Sequence, residues 1–515
     1  MRIGVDVGGT NTDAVLMDGR RVVAAHKSPT TADVGSGIVA AIRAVLTASG
    51  VGPEGIRAVM IGTTHFTNAF VERKRLLPVG IIRIALPAGK GLPPLMDWPA
   101  DLKATVGGAV ALVGGGREFD GRPIAPLDER AIAAAARDFR SKGLKTVAIS
   151  SIFAPVNPDM EERAAAIVQE EHPDVTVTLS SSIGRIGMLE RENATIMNAS
   201  LADMARHVVA SFRSALAELR LTCPFFVSQN DGTLMNAETV ARFPVLTFAS
   251  GPTNSMRGAA YLSGLSDALV IDIGGTTSDV GMLVKGFPRE SSVAVDIGGV
   301  RTNFRMPDIL SIGLGGGSLV RNGGSSVSVG PDSVGYRLPE QALVFGGGTL
   351  TTSDIAVAAG LVSMGDPSRV VGLDRGLVKA ALAEIQRLLS AAIDRMKTSA
   401  TDIPVVLVGG GAVLVDGRLP GAADIVRPEN GGVANAIGAA IAQIGGEVDR
   451  VYSYQELGRD TAIARAREEA AAIAARAGAA ADSIDIVDLE EVPLAYLPGG
   501  AVRIRAKAVG EMAVI

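Results

Sequence analysis

Two short stretches of the sequence carry residues whose types and spacing suit the binding of phosphate. Both follow the pattern Asp-x-Gly-Gly-Thr-x-x-Asp, at residues 6–13 and 272–279, and each follows an apolar run that predicts a strand. Glycines let the backbone approach an anion. Successive turn N–H groups form an anion-binding concavity, to which a threonine hydroxyl adds a donor. An aspartate at the end of a strand is placed to hold Mg²⁺ through water, because Mg²⁺ prefers hard oxygen ligands.

One copy alone is equally compatible with an ordinary glycine hairpin, which is a common structure. Two copies of the same eight-residue pattern favour the phosphate-binding interpretation. We therefore expect Asp6 and Asp272 to organise a Mg²⁺ ion through water, with Thr10 as a third catalytic residue. The residues expected to bind the phosphates are Gly8, Gly9, Thr10, Asn11, Thr12, Gly274, Gly275, Thr276 and Thr277.

The elements around the first pattern bring further polar residues towards it. Three strands of a meander are predicted at residues 2–8, 12–18 and 21–27. The short run 59–61 predicts a buried strand, and Gly62–Ala69 follows its end, where α/β proteins usually bind ligands. We expect Thr64, His65 and Asn68 to contact a substrate. A helix N-cap built from a threonine of this segment is the alternative.

Each half of the chain also ends in the same way, with a buried strand, a polar or glycine turn, a second loop and a small-residue helix. These units begin at Pro224 and Pro404, and their order after the two hairpins indicates a duplication. We expect an α/β fold with a first lobe over 1–265, interrupted by an insertion at about 85–125. A second lobe over 266–447 and a helix-plus-strands extension over 448–515 complete the prediction.

A third glycine-rich segment, Ser311–Ser318, follows a strand-like run. A flexible turn and a ligand loop both fit it. We favour the ligand loop and expect Gly315 and Gly316 to contact the bound cofactor.

Several charged residues have simpler interpretations than a binding site. Glu190 and Arg191 lie in a long helical pattern over 187–220 and are candidate substrate contacts, although a surface ion pair is the simpler interpretation. Glu161 is expected on a solvated helix face. The period-two pattern of 501–509 predicts an edge strand with a basic outer face, and a partner-docking edge is the alternative.

Composition excludes several classes of protein. The chain of 515 residues has 47% hydrophobic and 20% charged residues, which is typical of a globular protein. Its net charge of −5 gives no electrostatic footprint for nucleic acid. A single cysteine, Cys223, excludes an intrachain disulfide and a cysteine-bound cluster within one chain. Neither a signal pattern nor an apolar run of about 18 residues is present, so we expect a cytoplasmic protein that does not enter a membrane.

The twin hairpins and the later Val-Gly-Gly-Gly turn at 408–411 resemble the actin, sugar-kinase and heat-shock-chaperone ATPase superfamily. In that fold the hairpins hold the β- and γ-phosphates of ATP. The resemblance implies a duplicated, two-lobed, ribonuclease-H-like fold with a nucleotide cleft between the lobes, and it implies ATP and Mg²⁺ as cofactors. It also implies that Gly409, Gly410 and Gly411 face the adenosine.

Within that superfamily the sequence resembles the hydantoinase A / 5-oxoprolinase family. The matching segments, in family order, are Val5–Asp13, Gly62–Ala69, Leu189–Asn193, Ser250–Pro252, Asp272–Asp279 and Ser311–Ser318. The sequence departs from the family pattern at Thr253–Ser255, where small residues are usual, and at His65–Phe66, which replace a smaller pair.

This second resemblance implies an activity. Known members are ATP-dependent hydantoinases, 5-oxoprolinases and lactamases, with carboxylases of acetone-like ketones. The implied reaction is phosphorylation of the carbonyl oxygen of a cyclic amide or imide. A B-type partner subunit would complete ring opening, and we expect an oligomer. The alternatives are a ketone carboxylase subunit, a small-molecule kinase of the same fold, and a nucleotide-gated regulator.

Overall fold

The computed structural model describes residues 1–8, 11–29, 34–291, 294–324, 326–495 and 499–513, so the expected site residues Gly9 and Thr10 lie outside it. The strands, in chain order, are β1 (Arg2–Val7), β2 (Asn11–Asp18), β3 (Arg21–Pro29), β4 (Ala58–Thr63), β5 (Val79–Leu86), β6 (Gly107–Gly114), β7 (Thr146–Ser151), β8 (Thr176–Leu179), β9 (Phe225–Ser228), β10 (Leu234–Asn236), β11 (Ala268–Ile273), β12 (Ser278–Val284), β13 (Phe287–Pro288), β14 (Val295–Ile297), β15 (Val300–Thr302), β16 (Ile309–Ile312), β17 (Ser318–Asn322), β18 (Val327–Ser333), β19 (Ile403–Val408), β20 (Ala422–Val426), β21 (Ile444–Ser453), β22 (Asp485–Pro493) and β23 (Ala501–Gly510).

The helices, in chain order, are α1 (Val34–Ser49), α2 (His65–Val71), α3 (Ala100–Val106), α4 (Glu129–Ser141), α5 (Asp159–Glu171), α6 (Met188–Ser200), α7 (Ala202–Glu218), α8 (Ala237–Arg242), α9 (Ser250–Ser263), α10 (Leu338–Gln341), α11 (Thr352–Ala358), α12 (Arg375–Met396), α13 (Ala434–Ile441), α14 (Tyr454–Leu457) and α15 (Arg459–Arg476). Within the described ranges, none of these helices has the length and apolarity needed to cross a bilayer.

The first lobe is built on a sheet in the order β22-β23-β21-β10-β9-β4-β1-β2-β3. Its centre is parallel, because β1 pairs with β4 and β4 with β9 in the same direction. Strands buried on both faces read as continuous apolar runs, and Ile3 to Val7 of β1 are all buried. The meander β1-β2-β3 forms one end of this sheet.

The second lobe repeats this plan on a smaller sheet in the order β13-β12-β11-β19-β20, with β16 also paired to β12. Here β11 and β12 form the hairpin, and β19 lies parallel to β11 as β4 does to β1. Both lobes therefore present a hairpin beside a parallel strand. The predicted duplicated α/β fold is confirmed.

Residues 79–179 form a separate parallel sheet in the order β6-β5-β7-β8, covered by α4 and α5. The excursion expected at about 85–125 is thus one half of a larger unit with its own core. The expectation that Glu161 is solvated is wrong. It is fully buried, and its carboxylate accepts hydrogen bonds from the backbone N–H groups of Ser151 and Ser181, at 2.8 and 2.9 Å.

The C-terminal strands extend the sheet of the first lobe instead of standing apart from it. β21 pairs in parallel with β10, and β23 lies between β21 and β22. The prediction of an edge strand over 501–509 is therefore wrong. Lys507 is only 4% exposed, and its ammonium lies 2.9 Å from the Asp231 carboxylate. The alternating basic residues reflect ion pairs across neighbouring strands.

Candidate active site

The two hairpins of the repeated pattern have the same register, and the same hydrogen bond spans each turn. Asp6 pairs with Asp13 across β1 and β2, and Asp272 pairs with Asp279 across β11 and β12. Each turn is closed by a hydrogen bond from the first glycine to the residue three positions on. These bonds are 3.0 Å long at Gly8 and 2.9 Å at Gly274.

A cavity of about 350 Å³ lies between the two hairpins. Among the residues predicted from the sequence, those lining it are Gly8, Asn11, Gly274, Gly275, Thr276, Thr277, Gly316, Gly409, Gly410 and Gly411, together with Asp272. One end of the cavity is apolar and lined by Leu338, Ala356, Val362, Met364, Val413 and Leu414. Thr12 is fully buried in β2, and Asp6 lies in the strand beneath the cavity.

Two glycine segments hold the second hairpin by close backbone contact. Gly409 has φ +82°, and a Cβ atom there would lie 2.3 Å from Oδ1 of Asp272. A Cβ on Gly315 would lie 2.6 Å from the Thr276 backbone nitrogen. Gly315 thus supports the turn from behind, and its neighbour Gly316 lines the cavity.

The Asp6 carboxylate is 4% exposed and is held by two amide side chains. Asn254 donates to its Oδ1 at 3.2 Å, and Asn435 donates to its Oδ2 at 3.1 Å. Burial raises the pKa of Asp6 to about 6, and the amide hydrogen bonds offset only part of that rise. The negative charges of Asp13 and Asp272 raise it further.

The carboxylates of the second hairpin are held by hydroxyl groups. Ser255 donates to Oδ2 of Asp272 at 2.5 Å, and burial raises the pKa of Asp272. Ser311 donates to Asp279, where burial raises the pKa to about 6. Both hairpins therefore contain carboxyl groups that hold a proton more readily than free aspartate does.

Helices α9 and α13 carry the groups that hold these carboxylates. The two helices cross in close contact, because a Cβ on Gly258 would lie 1.9 Å from the Ala434 carbonyl oxygen. A Cβ on Gly438 would lie 1.9 Å from the carbonyl oxygen of Asn254. Asn254 and Ser255 belong to the segment where the sequence departs from the family pattern. The departure from the family pattern therefore affects the side chains that donate hydrogen bonds to Asp6 and Asp272.

Asp13 and Lys27 were not predicted, although both line the cavity. Asp13 is 2% exposed, and its Oδ2 accepts hydrogen bonds of 2.8 Å from both Lys27 and Asn435. Its Oδ1 is buried without a hydrogen-bond partner. The repetition of the last aspartate in the eight-residue pattern was the signal available for Asp13.

The expected substrate residues of the segment after β4 lie outside the cavity lining, and the Thr64 hydroxyl donates to the carbonyl oxygen of Val7, the residue after Asp6, at 3.4 Å. The helix begins at His65, and the Thr64 side chain does not cap it. A Cβ on Gly251 would be 3.4 Å from Cγ2 of Thr64 and 4.0 Å from Oδ2 of Asp6. His65 bonds Oγ1 of Thr63 at 2.8 Å, and burial lowers its pKa. Asn68 is exposed and donates to Thr64 at 3.4 Å.

Arg191 is neither a cleft residue nor part of a surface ion pair. Its side chain is fully buried, and its guanidinium donates to Ser180 at 2.9 Å and to the carbonyl oxygens of Arg185 and Ile186, at 2.9 and 2.6 Å. It anchors the loop before α6. Glu190 is partly exposed, with its carboxylate 3.8 Å from the guanidinium of Arg301.

No group of three or more His, Cys, Asp or Glu side chains is arranged to hold a metal ion within the ranges that the structure covers. A cation at the cavity would therefore need ligands from a bound phosphate and from water in addition to the aspartates.

The chain is similar to the alpha subunit of caprolactamase from Pseudomonas jessenii, with 29% identity over 71% of this chain and 55% of that subunit. The acetophenone carboxylase gamma subunit from Aromatoleum aromaticum is 27% identical over 70% of this chain and 53% of its own length. The chain thus spans about half the length of these relatives.

Solved structures agree on the fold. The crystal structure of the ATP-dependent caprolactamase from Pseudomonas jessenii superposes with a TM-score of 0.78 at 21% identity, over 100% of this chain and 88% of that one. A nucleotide-free acetone carboxylase gives 0.68 at 20% identity, with the same coverage of both chains.

Two family models match most of the sequence. Residues 2–172 match the hydantoinase/oxoprolinase N-terminal region, and residues 191–404 match the hydantoinase/oxoprolinase model. The chain belongs to the hydantoinase/oxoprolinase family.

Proposed function

We propose that this protein is an ATP-dependent enzyme that phosphorylates the carbonyl oxygen of a cyclic amide or imide. The observation that carries the proposal is the pair of matched hairpins, with aspartates and glycine turns around one cavity of about 350 Å³. A polar end beside an apolar end suits a nucleoside triphosphate. The similarity to a caprolactamase subunit supports an amide as the second substrate.

ATP would lie with its base at the apolar end, near Val362 and Met364, and with its phosphates between the hairpins. Thr276 and Thr277 line that end, where their hydroxyl and N–H groups would donate to phosphate oxygens. Gly409–Gly411 would face the adenosine. Gly9 and Thr10 stay predicted contacts of the first hairpin.

The residues at the phosphate end fit Mg²⁺. The unpartnered Oδ1 of Asp13 and the carboxylate of Asp272 are hard oxygen donors at the same cavity. Asp6, which lies beneath them, would act through water. A bound Mg²⁺ would neutralise charge on the phosphates.

The chemical reason for phosphorylation is that an unstrained amide is a poor electrophile. The amide oxygen would attack the terminal phosphorus, forming an O–P bond. The bridging P–O bond would break, and its electron pair would leave with ADP. Water would then add to the carbon, and the ring C–N bond would break with the amine as the leaving group, which leaves an acyl phosphate. A second water would hydrolyse the acyl phosphate to the carboxylate and inorganic phosphate. We propose that a B-type partner subunit completes this ring opening.

Thr64, His65 and Asn68 remain proposed substrate contacts, because the Thr64 hydroxyl donates to the carbonyl oxygen of Val7, the residue after Asp6. Arg191 is removed from that set, since its guanidinium is committed to the loop before α6.

A ketone carboxylase subunit is the second candidate. The similarity to the acetophenone carboxylase gamma subunit and to the acetone carboxylase beta subunit from Xanthobacter autotrophicus favours it. A carbonyl-derived oxygen would again be the phosphoryl acceptor, so the same cleft would serve both reactions.

The test is ATP hydrolysis by the purified chain, with and without a co-expressed B-type protein. The panel holds hydantoins, lactams, 5-oxoproline, and ketones with bicarbonate. We expect phosphate release to depend on one class of carbonyl compound. The Asp272→Asn variant should lose this activity. Asp174→Asn should keep it, because Asp174 is exposed and lies outside the cavity lining. A stable phosphate ester formed from a hydroxyl substrate would instead identify a kinase.

A further inference from the structure

The two hairpins extend into matched rows of residues that cross neighbouring strands on one face of each sheet. Directly paired residues in adjacent strands point to the same face. The row in the first lobe is Gly62, Asp6, Asp13 and Lys27, and the row in the second lobe is Val408, Asp272, Asp279 and Ser311. The duplication is therefore retained at the two aspartates and broken at the end of the row. A lysine stands in one lobe where a serine stands in the other.

The Lys27 ammonium is placed where it can bind an anionic ligand in the cavity. Its side chain is 37% exposed and lines the cavity, and its Nζ lies 2.8 Å from Oδ2 of Asp13. An ammonium group has three N–H donors, so this ion pair leaves donors for another partner. In the part of the chain that the structure describes, Lys27 is the one cationic side chain that lines the cavity. Its positive charge also lowers the pKa of Asp272, which belongs to the opposite lobe, although burial raises that pKa more.

Asp13 fixes the position of that ammonium. Its Oδ2 also accepts a hydrogen bond of 2.8 Å from Asn435, which in turn donates to Asp6. The Asp13 carboxylate is thus held from two sides, and a long, flexible lysine side chain is oriented by it.

We propose that Lys27 binds the phosphoryl group that is transferred and that Asp13 is its positioning residue. This inference rests on the proposed function. As the acceptor oxygen forms its bond to phosphorus, the bridging P–O bond breaks and its electron pair leaves with ADP. Negative charge on the transferred group and the departing oxygen is then neutralised by the ammonium, without any proton transfer to or from Lys27.

The second lobe has no equivalent cation in its row. Ser311 donates to Asp279, and burial raises the pKa of that carboxyl to about 6 although the hydrogen bond lowers it. Because only the row in the first lobe ends in a cation, the transferred phosphoryl group would lie on the side of the first lobe. The second hairpin would then hold the other phosphates of ATP.

The test compares Lys27→Met with Lys27→Arg, and uses Lys379→Met as the matched control. Lys379 is exposed on α12, outside the cavity. Lys27→Met removes one charge-stabilising donor and should lower kcat for ATP turnover by about 10²–10³-fold. Lys27→Arg keeps the positive charge and should retain part of the wild-type kcat. Lys379→Met should behave as the wild type.

A second measurement uses calorimetric titration with ADP and with a non-hydrolysable ATP analogue. Lys27→Met should weaken binding of the analogue about tenfold more than binding of ADP, because only the analogue carries the terminal phosphoryl group. Asp13→Asn should give a smaller loss in the same direction. Unchanged thermal midpoints would show that these variants fold.

The outcomes separate the two proposals. If the wild type binds neither nucleotide, the proposed function fails. If the wild type binds and hydrolyses ATP, but Lys27→Met keeps its kcat and its preference for the analogue, only the assignment of Lys27 is overturned.

Discussion

Replacing Asp6 with asparagine should change the stability of the protein differently at acidic and at alkaline pH. Asp6 is 4% exposed, and burial raises its pKa from 3.8 to about 6. Above pH 6 the group is ionised in both the folded and the unfolded chain, and the fold bears the full cost of the buried charge. Below pH 3.8 it is protonated in both states, and the cost disappears.

The size of the effect follows from the shift. A rise of two pKa units corresponds to about 3 kcal/mol at pH 8, and to about half of that at pH 5, where the folded protein already holds the proton. Asparagine does not titrate. It also turns one amide donor towards Asn254 or Asn435, at a cost of about 1–3 kcal/mol that is the same at both pH values. The difference between variant and wild type should therefore be about 1.4 kcal/mol more favourable to the variant at pH 8 than at pH 5.

Differential scanning calorimetry at the two pH values measures this change. The unfolding entropy of a chain of 515 residues is about 1 kcal/mol per kelvin. The difference between the thermal midpoints of the variant and the wild type should therefore change by about one to two degrees between pH 5 and pH 8. ATP turnover should be lost at both pH values, with the fold retained. Asp174→Asn, at an exposed position, should show no such pH dependence. A midpoint gap that is equal at pH 5 and pH 8 would refute the argument that Asp6 is a buried, costly charge.

Three further predictions concern contacts outside the nucleotide phosphates. Asp231→Asn should destabilise the fold by about 3–5 kcal/mol at pH 7, because it leaves the buried ammonium of Lys507 uncompensated. Burial alone would raise the pKa of Asp231, but the neighbouring ammonium holds it well below its usual range. Its contribution is thus present above pH 3.8 and is lost as the pH falls below that value towards the depressed pKa of the folded state, so urea unfolding at pH 7 and pH 2 should show a smaller effect at pH 2. Gly438→Ala should lower the thermal midpoint, since its Cβ would lie 1.9 Å from the Asn254 carbonyl oxygen, whereas an alanine at the exposed Gly432 has open space. Gly409→Ala should weaken ATP binding in calorimetric titration, because the new Cβ would displace the aspartate of the second hairpin and φ is +82° there.

The hairpins, their duplication and the glycine turns that line the cavity were predictable, because each depends on local sequence. The Asp-x-Gly-Gly-Thr turns carry their own conformational requirement, and a second copy in the chain identifies the fold. Boundaries that depend on distant partners were not predictable. Strand β23 reads as an edge strand, and only its position between β21 and β22 shows otherwise.

Lys27 shows most clearly why part of the site could not be read from the sequence. A regular two-residue hairpin that ends in Asp18 and Arg21 would pair Asp13 with His26. The structure has an irregularity between Leu16 and Met17 that shifts the register by one residue and pairs Asp13 with Lys27 instead. Because side chains alternate with period two, this shift moves Lys27 from one face of the sheet to the other. Neither the bulge nor its consequence is encoded in a motif.

The separation of the two lobes' carboxylates is set by backbone contact more than by side-chain packing. Adjacent residues of α9 serve opposite lobes, since Asn254 donates to Asp6 and Ser255 donates to Asp272. From α13, Asn435 donates to both aspartates of the first hairpin. The helices touch at glycines, where any side chain would overlap a carbonyl oxygen, so neither helix can approach or rotate without moving a carboxylate. A change in the spacing of the lobes must therefore act on the hydrogen bonds to both aspartates, which couples the geometry of the cleft to the charge of the groups that line it.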